Sequence, residues 1–215
     1  MEKRRDSATA YIILADGFET IEALTPLDVL RRCGVEVTTI SLNQTRAVRS
    51  SHGVTVEADA TMEEYMLKRS NAGSSSSAGS STTASSANTT AGSCLRQALI
   101  LPGGYPGYKN LCESAEVGAL ITQFHKEGKL LCAICGAPTA LKANQICRGA
   151  AITCHTSVKE ELSDYYSILS SAVVKYMNII TGMGAGRSLD FAFAIAEALT
   201  SKEKVEEIKA KMEII

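Results

Sequence analysis

Lys129-Leu130-Leu131-Cys132-Ala133-Ile134-Cys135-Gly136-Ala137-Pro138-Thr139-Ala140-Leu141 is the stretch that decides the fold. It opens on an apolar run short enough to be a buried strand. Gly136 breaks that strand, and Pro138 with the helix formers after it starts a helix. Proline in the first helical turn loses no hydrogen bond, because that N–H has no intrahelical partner. Cys135 therefore stands at a strand-to-helix turn, a nucleophile elbow, facing the positive end of a helix dipole. The turn predicts a thiol pKa lowered from ~8.5 toward ~5, which would make the sulfur almost wholly thiolate at neutral pH.

Strands and helices alternate on both sides of this unit. Residues 11–15 form a β-rich run closed by Asp16-Gly17. A helix over residues 19–32 follows, with Ile21, Leu24, Leu27 and Leu30 as its apolar stripe, Pro26 inside it and Cys33-Gly34 at its end. Residues 35–40 are the next strand, so the chain opens as strand–helix–strand, the unit of a parallel sheet. Residues 54–56 read as a small extra strand and 98–101 as a strand running into the Pro102-Gly103-Gly104-Tyr105-Pro106-Gly107 loop. Ser114 caps a helix through Lys126, with Val117, Leu120, Ile121 and Phe124 inward. Short strands follow over 151–153, 172–174 and 178–180. The helix over 187–199 is apolar nearly all round and should be buried. Thr200 and Glu203 form a capping box for a last helix, whose stripe is Val205, Ile208, Met212 and Ile215.

The pattern predicts one α/β domain over residues 1–215 with an open, mostly parallel sheet. In such sheets sites form at the carboxyl ends of the strands. Four loops fall there: residues 16–20, 102–107, 135–138 and the segment around His155. Residues 70–93 are all Ser, Thr, Ala, Gly or Asn. Such a segment cannot offset its ordering entropy by burial, so an insertion at about 70–95 is expected to be disordered.

The chain has 215 residues, 45% hydrophobic, with a net charge of -1. That balance argues against a nucleic-acid surface, which needs clustered Lys and Arg. The apolar runs are too short for a membrane span or a signal-peptide core, so a cytoplasmic protein is expected. Seven cysteines, an odd number, argue for free thiols. Cys132 and Cys135 make a C-x-x-C, but both precede the glycine turn, and Cys132 reads as core.

Other residues join Cys135 as candidates. The first helix offers Glu19 and Glu22; Glu22, one turn in, either faces the centre of the carboxyl edge or is solvated. A protonated carboxyl at the sulfur would serve as a general acid and base. His155 follows a strand, placed either to relay protons or as a structural histidine. Gly103-Gly104 offers bare backbone N–H groups suited to an oxyanion. No Gly-Lys-Ser/Thr follows, so this is not a phosphate loop. His52 and His125 lack supporting context, His125 lying at an exposed helix end. Histidines and cysteines nowhere cluster at zinc spacing.

Leu101-Pro102-Gly103-Gly104, Ala133-Ile134-Cys135-Gly136-Ala137-Pro138-Thr139-Ala140-Leu141 and Asp16-Gly17-Phe18-Glu19-Thr20-Ile21-Glu22 resemble the ThiJ/PfpI superfamily, in its Parkinson disease protein seven-like branch. Pro26-Leu27-Asp28-Val29-Leu30-Arg31-Arg32, Thr153-Cys154-His155 and Ser188-Leu189-Asp190-Phe191-Ala192 match as well. The resemblance implies a flavodoxin-like three-layer sandwich of the class I glutamine amidotransferase-like kind, forming homodimers. It implies that Cys135 is the oxidation-sensitive nucleophile, Glu22 its carboxyl partner, Gly104 and Gly136 the backbone donors, and His155 the nearby histidine. The activities it implies need no cofactor: glutathione-independent glyoxalase, protein deglycation, redox sensing and chaperoning. Gly136 replaces the histidine of the intracellular-protease branch, which disfavours proteolysis. His52 and Met183 stand where this branch tends to place arginines, and Gly184-Ala185-Gly186 replaces Gly-Pro-Gly.

The expected function is therefore detoxification of small α-oxoaldehydes under carbonyl and oxidative stress. The rival expectation is a redox-sensing chaperone whose cysteine becomes a sulfinate with little turnover.

Overall fold

The computed structural model describes residues 8–74 and 96–214. β1 (Thr9–Leu14) leads into α1 (Thr20–Arg32), β2 (Glu36–Ser41), β3 (Ala47–Arg49), β4 (Thr55–Glu57), β5 (Ala60–Thr61) and α2 (Met62–Ser74). Then come β6 (Gln97–Leu101), α3 (Gly107–Glu113), α4 (Ala115–Lys126), β7 (Leu130–Ile134) and α5 (Pro138–Ala143). The chain continues through β8 (Ala151–Ile152), α6 (Lys159–Ser163), β9 (Ser167–Ile168), β10 (Val173–Tyr176), β11 (Ile179–Gly182), α7 (Ser188–Leu199) and α8 (Lys202–Lys211).

Seven strands form the main sheet in the order β10-β11-β7-β6-β1-β2-β5. Every neighbouring pair is parallel except β10–β11. The central strands carry continuous apolar runs because both faces are covered. Ile12, Ile100, Cys132 and Ile180 lie in register across four strands and pack on one face with Val29, Leu30 and Phe191 from α1 and α7. Ile13, Leu99, Leu131 and Ile179 pack on the other face with Leu111, Val117 and Phe124 from α3 and α4. This is a flavodoxin-like three-layer sandwich of the class I glutamine amidotransferase-like kind. Among the described residues no helix is long and apolar enough to cross a membrane.

Several local expectations change. The buried face of α1 is Glu22, Ala23, Pro26, Val29 and Leu30, while Ile21 is 47% exposed. The inward stripe is thus rotated by about one residue, roughly 100°, from the expected one, and that rotation carries Glu22 inside. Three helices have no counterpart in the sequence reading: α2, α3 and α6. The signal for α2 is a capping box: Thr61 Oγ1 accepts the Glu64 N–H at 3.2 Å, and Glu64 Oε2 accepts the Thr61 N–H at 2.8 Å. Residues 70–74, expected in the disordered insertion, are the last turn of α2; the insertion from 75 to 95 lies outside the described residues, as does Ile215 of the last helical stripe. The small strand after Gly53 pairs with β3 in a hairpin off the main sheet. β8 likewise leaves the main sheet and pairs with β9. Ser201 caps α8, accepting the Lys204 N–H, whereas the Thr200 hydroxyl donates back to the Ala196 carbonyl. α7 is buried on one broad face only, with Leu189 42% exposed.

Candidate active site

The carboxyl ends of β1, β6, β7 and β11 meet at one edge, and the loops leaving them touch. Cys135 follows directly on β7. Its backbone has φ 66°, the left-handed region that side chains rarely adopt. Both of its backbone polar groups are held: its N–H donates to the Gly182 carbonyl at 3.0 Å, and its carbonyl accepts the His155 N–H at 2.9 Å. Pro138 opens α5 with Ala137 before it, as the proline rule requires. The Thr139 hydroxyl donates to the Gly136 carbonyl at 2.8 Å and tightens the turn. A side chain on Gly136 would meet the Tyr108 ring at 2.7 Å. Cys135 keeps partial solvent access; Cys132, three residues earlier, has none.

Glu22 is 0% exposed. Its Oε2 accepts the Gly103 N–H at 2.8 Å, and its Oε1 is buried without an N–H or O–H partner. The Cys135 thiol shares the space over Gly103 with this carboxyl, and the two interact electrostatically. Gly103 is the floor of the pair: a Cβ there would sit 2.7 Å from both Cys135 Cβ and Glu22 Oε2, and 3.1 Å from Cys135 Sγ. Expected only as a bare donor, Gly103 instead serves the carboxyl and makes room for the sulfur. Gly104, at φ 89°, and Gly136 direct their N–H groups to Cys135. In the resting protein these donors face the sulfur itself.

The electrostatics correct the expected thiol. Burial and the Glu22 carboxylate push Cys135 up to about 12, against the pull of the Gly104 and Gly136 N–H groups. Burial, opposed by the Gly103 hydrogen bond, pushes Glu22 up to about 7. The short turn at α5 does not by itself outweigh desolvation beside an ionised carboxylate. These two groups titrate as a pair, which loses one proton near neutrality and keeps the second well above it.

His155 sits beside Cys135 through its backbone only. Its Nδ1 bonds Ser157, 2.8 Å from the hydroxyl and accepting the backbone N–H at 3.2 Å, so the ring caps a short turn and is exposed. Its Cδ2 edge lies 3.4 Å from the Cβ position of Gly184. No described hydrogen bond joins the ring to the sulfur. His52 stands on the rim, with Nδ1 4.0 Å from Glu19 Oε1. Met183 is half-buried and donates its N–H to the Ala172 carbonyl. His125 is half-buried, not exposed, with Nε2 3.7 Å from Cys147 Sγ. It precedes β7 while Cys135 follows it, so it belongs to the opposite edge of the sheet. Among the described residues no three His, Cys, Asp or Glu side chains are grouped to hold a metal ion.

Against known proteins, this chain is 34% identical over 203 residues to Protein dj-1beta of Drosophila melanogaster, covering 94% of this chain and 95% of that one. The crystal structure of Drosophila melanogaster DJ-1beta superposes with a TM-score of 0.81 at 32% identity, covering 97% of this chain and 99% of that chain. A relative from Caenorhabditis elegans named glutathione-independent glyoxalase DJR-1.2 is 29% identical over 198 residues, 91% of each chain. Residues 8–198 match the DJ-1/PfpI family model. With sequence, sheet order and elbow in agreement, the chain belongs to the DJ-1/PfpI family.

Proposed function

We propose that this protein converts α-oxoaldehydes such as methylglyoxal and glyoxal to 2-hydroxy acids, with no cofactor and no glutathione. The observation that carries this reading is the fully buried Glu22 carboxyl, anchored through one oxygen on the Gly103 N–H and sharing the space over Gly103 with the Cys135 thiol. The glyoxalase name of the Caenorhabditis elegans relative supports the same chemistry.

The pair carries one proton between two acids at neutral pH. The reactive form has the proton on Glu22 and the charge on sulfur, and the Gly104 and Gly136 N–H groups that face the sulfur lower its cost against the opposing burial. The thiolate adds to the aldehyde carbon, and the Glu22 proton passes to the new alkoxide, giving a hemithioacetal. Glu22, now a carboxylate, takes the proton from C1 and returns it at C2, while the hydroxyl proton on O1 passes to O2. That internal transfer oxidises C1 and reduces C2, so no external oxidant is needed. The resulting thioester is cleaved by water, releasing the 2-hydroxy acid and restoring the thiol and the carboxyl proton. General acid and base help of this kind contributes roughly 10²–10⁴-fold. His155, tied to Ser157, has no assigned step. In this reading the partners are small reactive aldehydes and a second copy of the chain, the setting is the cytoplasm, and deglycation of proteins is a related activity.

Methylglyoxal consumption without glutathione tests the proposal. The wild type is expected to turn over, and Cys135→Ala to match the uncatalysed background. Wild-type protein no faster than that background would end the reading.

A second reading draws on the partial exposure of Cys135 inside a cradle of N–H groups. Two equivalents of peroxide would convert the thiol to a sulfinic acid with release of two waters, and the cradle would hold its oxygens. It predicts a mass gain of two oxygens at Cys135 under mild peroxide, with negligible methylglyoxal turnover.

A further inference from the structure

Glu19 has no part in the chemistry above, yet two hydrogen bonds tie it to the groups that do, and a third joins those groups to each other. Its backbone N–H donates to the Gly103 carbonyl at 2.9 Å. The Gly103 N–H donates to Glu22 Oε2 at 2.8 Å, and the Glu22 N–H donates to Glu19 Oε2 at 2.8 Å. The three bonds close a ring through Glu19, Gly103 and Glu22. Glu19 also presses on the neighbouring residue: a Cβ on Gly104 would lie 2.3 Å from the Glu19 nitrogen. One residue thus abuts both the peptide that anchors the carboxyl and the peptide that faces the sulfur.

The side chain is itself well seated. Glu19 is 15% exposed, and its carboxylate is the N-cap of α1. A cap is ordinarily Ser, Thr, Asp or Asn; a glutamate must curl back to reach the same N–H. Here it places a second carboxylate one turn from Glu22. Cys135 faces Glu22 from the turn after β7, the Gly103–Gly104 loop contributes backbone only, and the hairpin of β3 and β4 brings His52 to 4.0 Å from Glu19 Oε1. That hairpin also carries Arg49, whose guanidinium lies beside Gly53. Its anchors to the helix start are the Ser51 N–H on the Phe18 carbonyl and the Thr20 hydroxyl on Ser50.

We propose that Glu19 is a positioning residue for the Cys135–Glu22 pair: its ring of hydrogen bonds sets the carboxyl and the Gly103–Gly104 peptides against the sulfur, and its negative charge, met by His52 at the rim, biases where the shared proton sits. This inference rests on Cys135 and Glu22 working as a pair. The carboxylate of Glu19 opposes ionisation of Glu22. Removing that charge while keeping the acceptor lets the pair lose its first proton at lower pH.

The test compares wild type, Glu19→Gln and Glu19→Ala by two readouts. One is the pH profile of iodoacetamide alkylation at Cys135, followed by peptide mass spectrometry. The other is kcat and KM for methylglyoxal. Glu19→Gln, which keeps a cap acceptor, is expected to move the alkylation midpoint down by about half a unit to one unit. Glu19→Ala is expected to lose about tenfold in kcat through displacement of the carboxyl, and Glu19→Gln to recover most of it. Alkylation profiles identical to wild type in both variants would overturn the inference, and so would equal kcat losses in the two. Glu19→Gln carries the test if Glu19→Ala does not fold. Absence of methylglyoxal turnover in the wild type would defeat the proposed function alone, since the Cys135 profile still decides the role of Glu19.

Discussion

Cys132 and Cys135 lie three residues apart on the same strand-to-turn segment. Cys132 points into the sheet core beside Ile12, Ile100 and Ile180, with no solvent access and its pKa driven upward by burial alone. Cys135 has left the ladder. Its backbone is left-handed, it keeps some access to solvent, and it meets a carboxyl and two N–H donors. Burial raises both thiols, so burial does not distinguish them. What distinguishes them is whether anything in the surroundings can accept or return a proton. Cys132 has apolar walls, whereas Cys135 has Glu22, itself pushed up to about 7 and able to exchange a proton at neutral pH.

The comparison breaks most sharply by truncating each thiol in turn. Cys135→Ala should reduce methylglyoxal turnover to background, while Cys132→Ala should keep turnover and lose roughly 1 kcal/mol of stability in urea unfolding. Equal losses of turnover would erase the distinction. Next in size, Glu22→Gln should lower kcat by roughly 10²–10⁴-fold, because the amide neither takes nor returns the proton. Gly103→Ala attacks the geometry alone. A methyl 2.7 Å from Cys135 Cβ and Glu22 Oε2 must push them apart, and a loss of about 10²-fold in kcat/KM is expected.

The smallest expected effect is on stability. Glu22 is raised from 4.5 to about 7 in the folded protein, so the folded state holds this proton more tightly than the unfolded chain. Its contribution is fully present below about pH 4.5 and is lost as pH rises through 7. The whole swing is about 3 kcal/mol at most, at roughly 1.4 kcal/mol per unit. Glu22→Gln does not titrate, so relative to it the wild type should weaken between pH 5 and pH 8. Parallel urea midpoints across that range would show that Glu22 is not held as described.

Much of the site was legible before any coordinates. Gly136 and Pro138 mark the elbow because glycine seldom continues a strand and a helix start tolerates proline. α2 carries a Thr61-x-x-Glu64 box, but its polar sequence lacks a clear apolar stripe to mark a helix. The capping error at Thr200 is of another kind. Two adjacent hydroxyls, Thr200 and Ser201, compete for one role, and their backbone angles decide between them. The contacts that join Gly103 to Glu19 and Glu22 are illegible for a third reason: they cross more than eighty residues of chain.

The sequence by itself determined the parallel α/β layers, the position of Cys135 at a strand end and its separation from Cys132, because apolar period, glycine and proline act over a few residues. Only the tertiary structure decided that Glu22 turns inward, that Gly104 and Gly136 face the sulfur, and that His155 is tied to Ser157. It also decided that burial and Glu22 push the thiol's pKa upward, against the local expectation. A helix dipole is a property of one turn of chain. Desolvation and a neighbouring carboxylate are properties of what packs around that turn, and here they outweigh it.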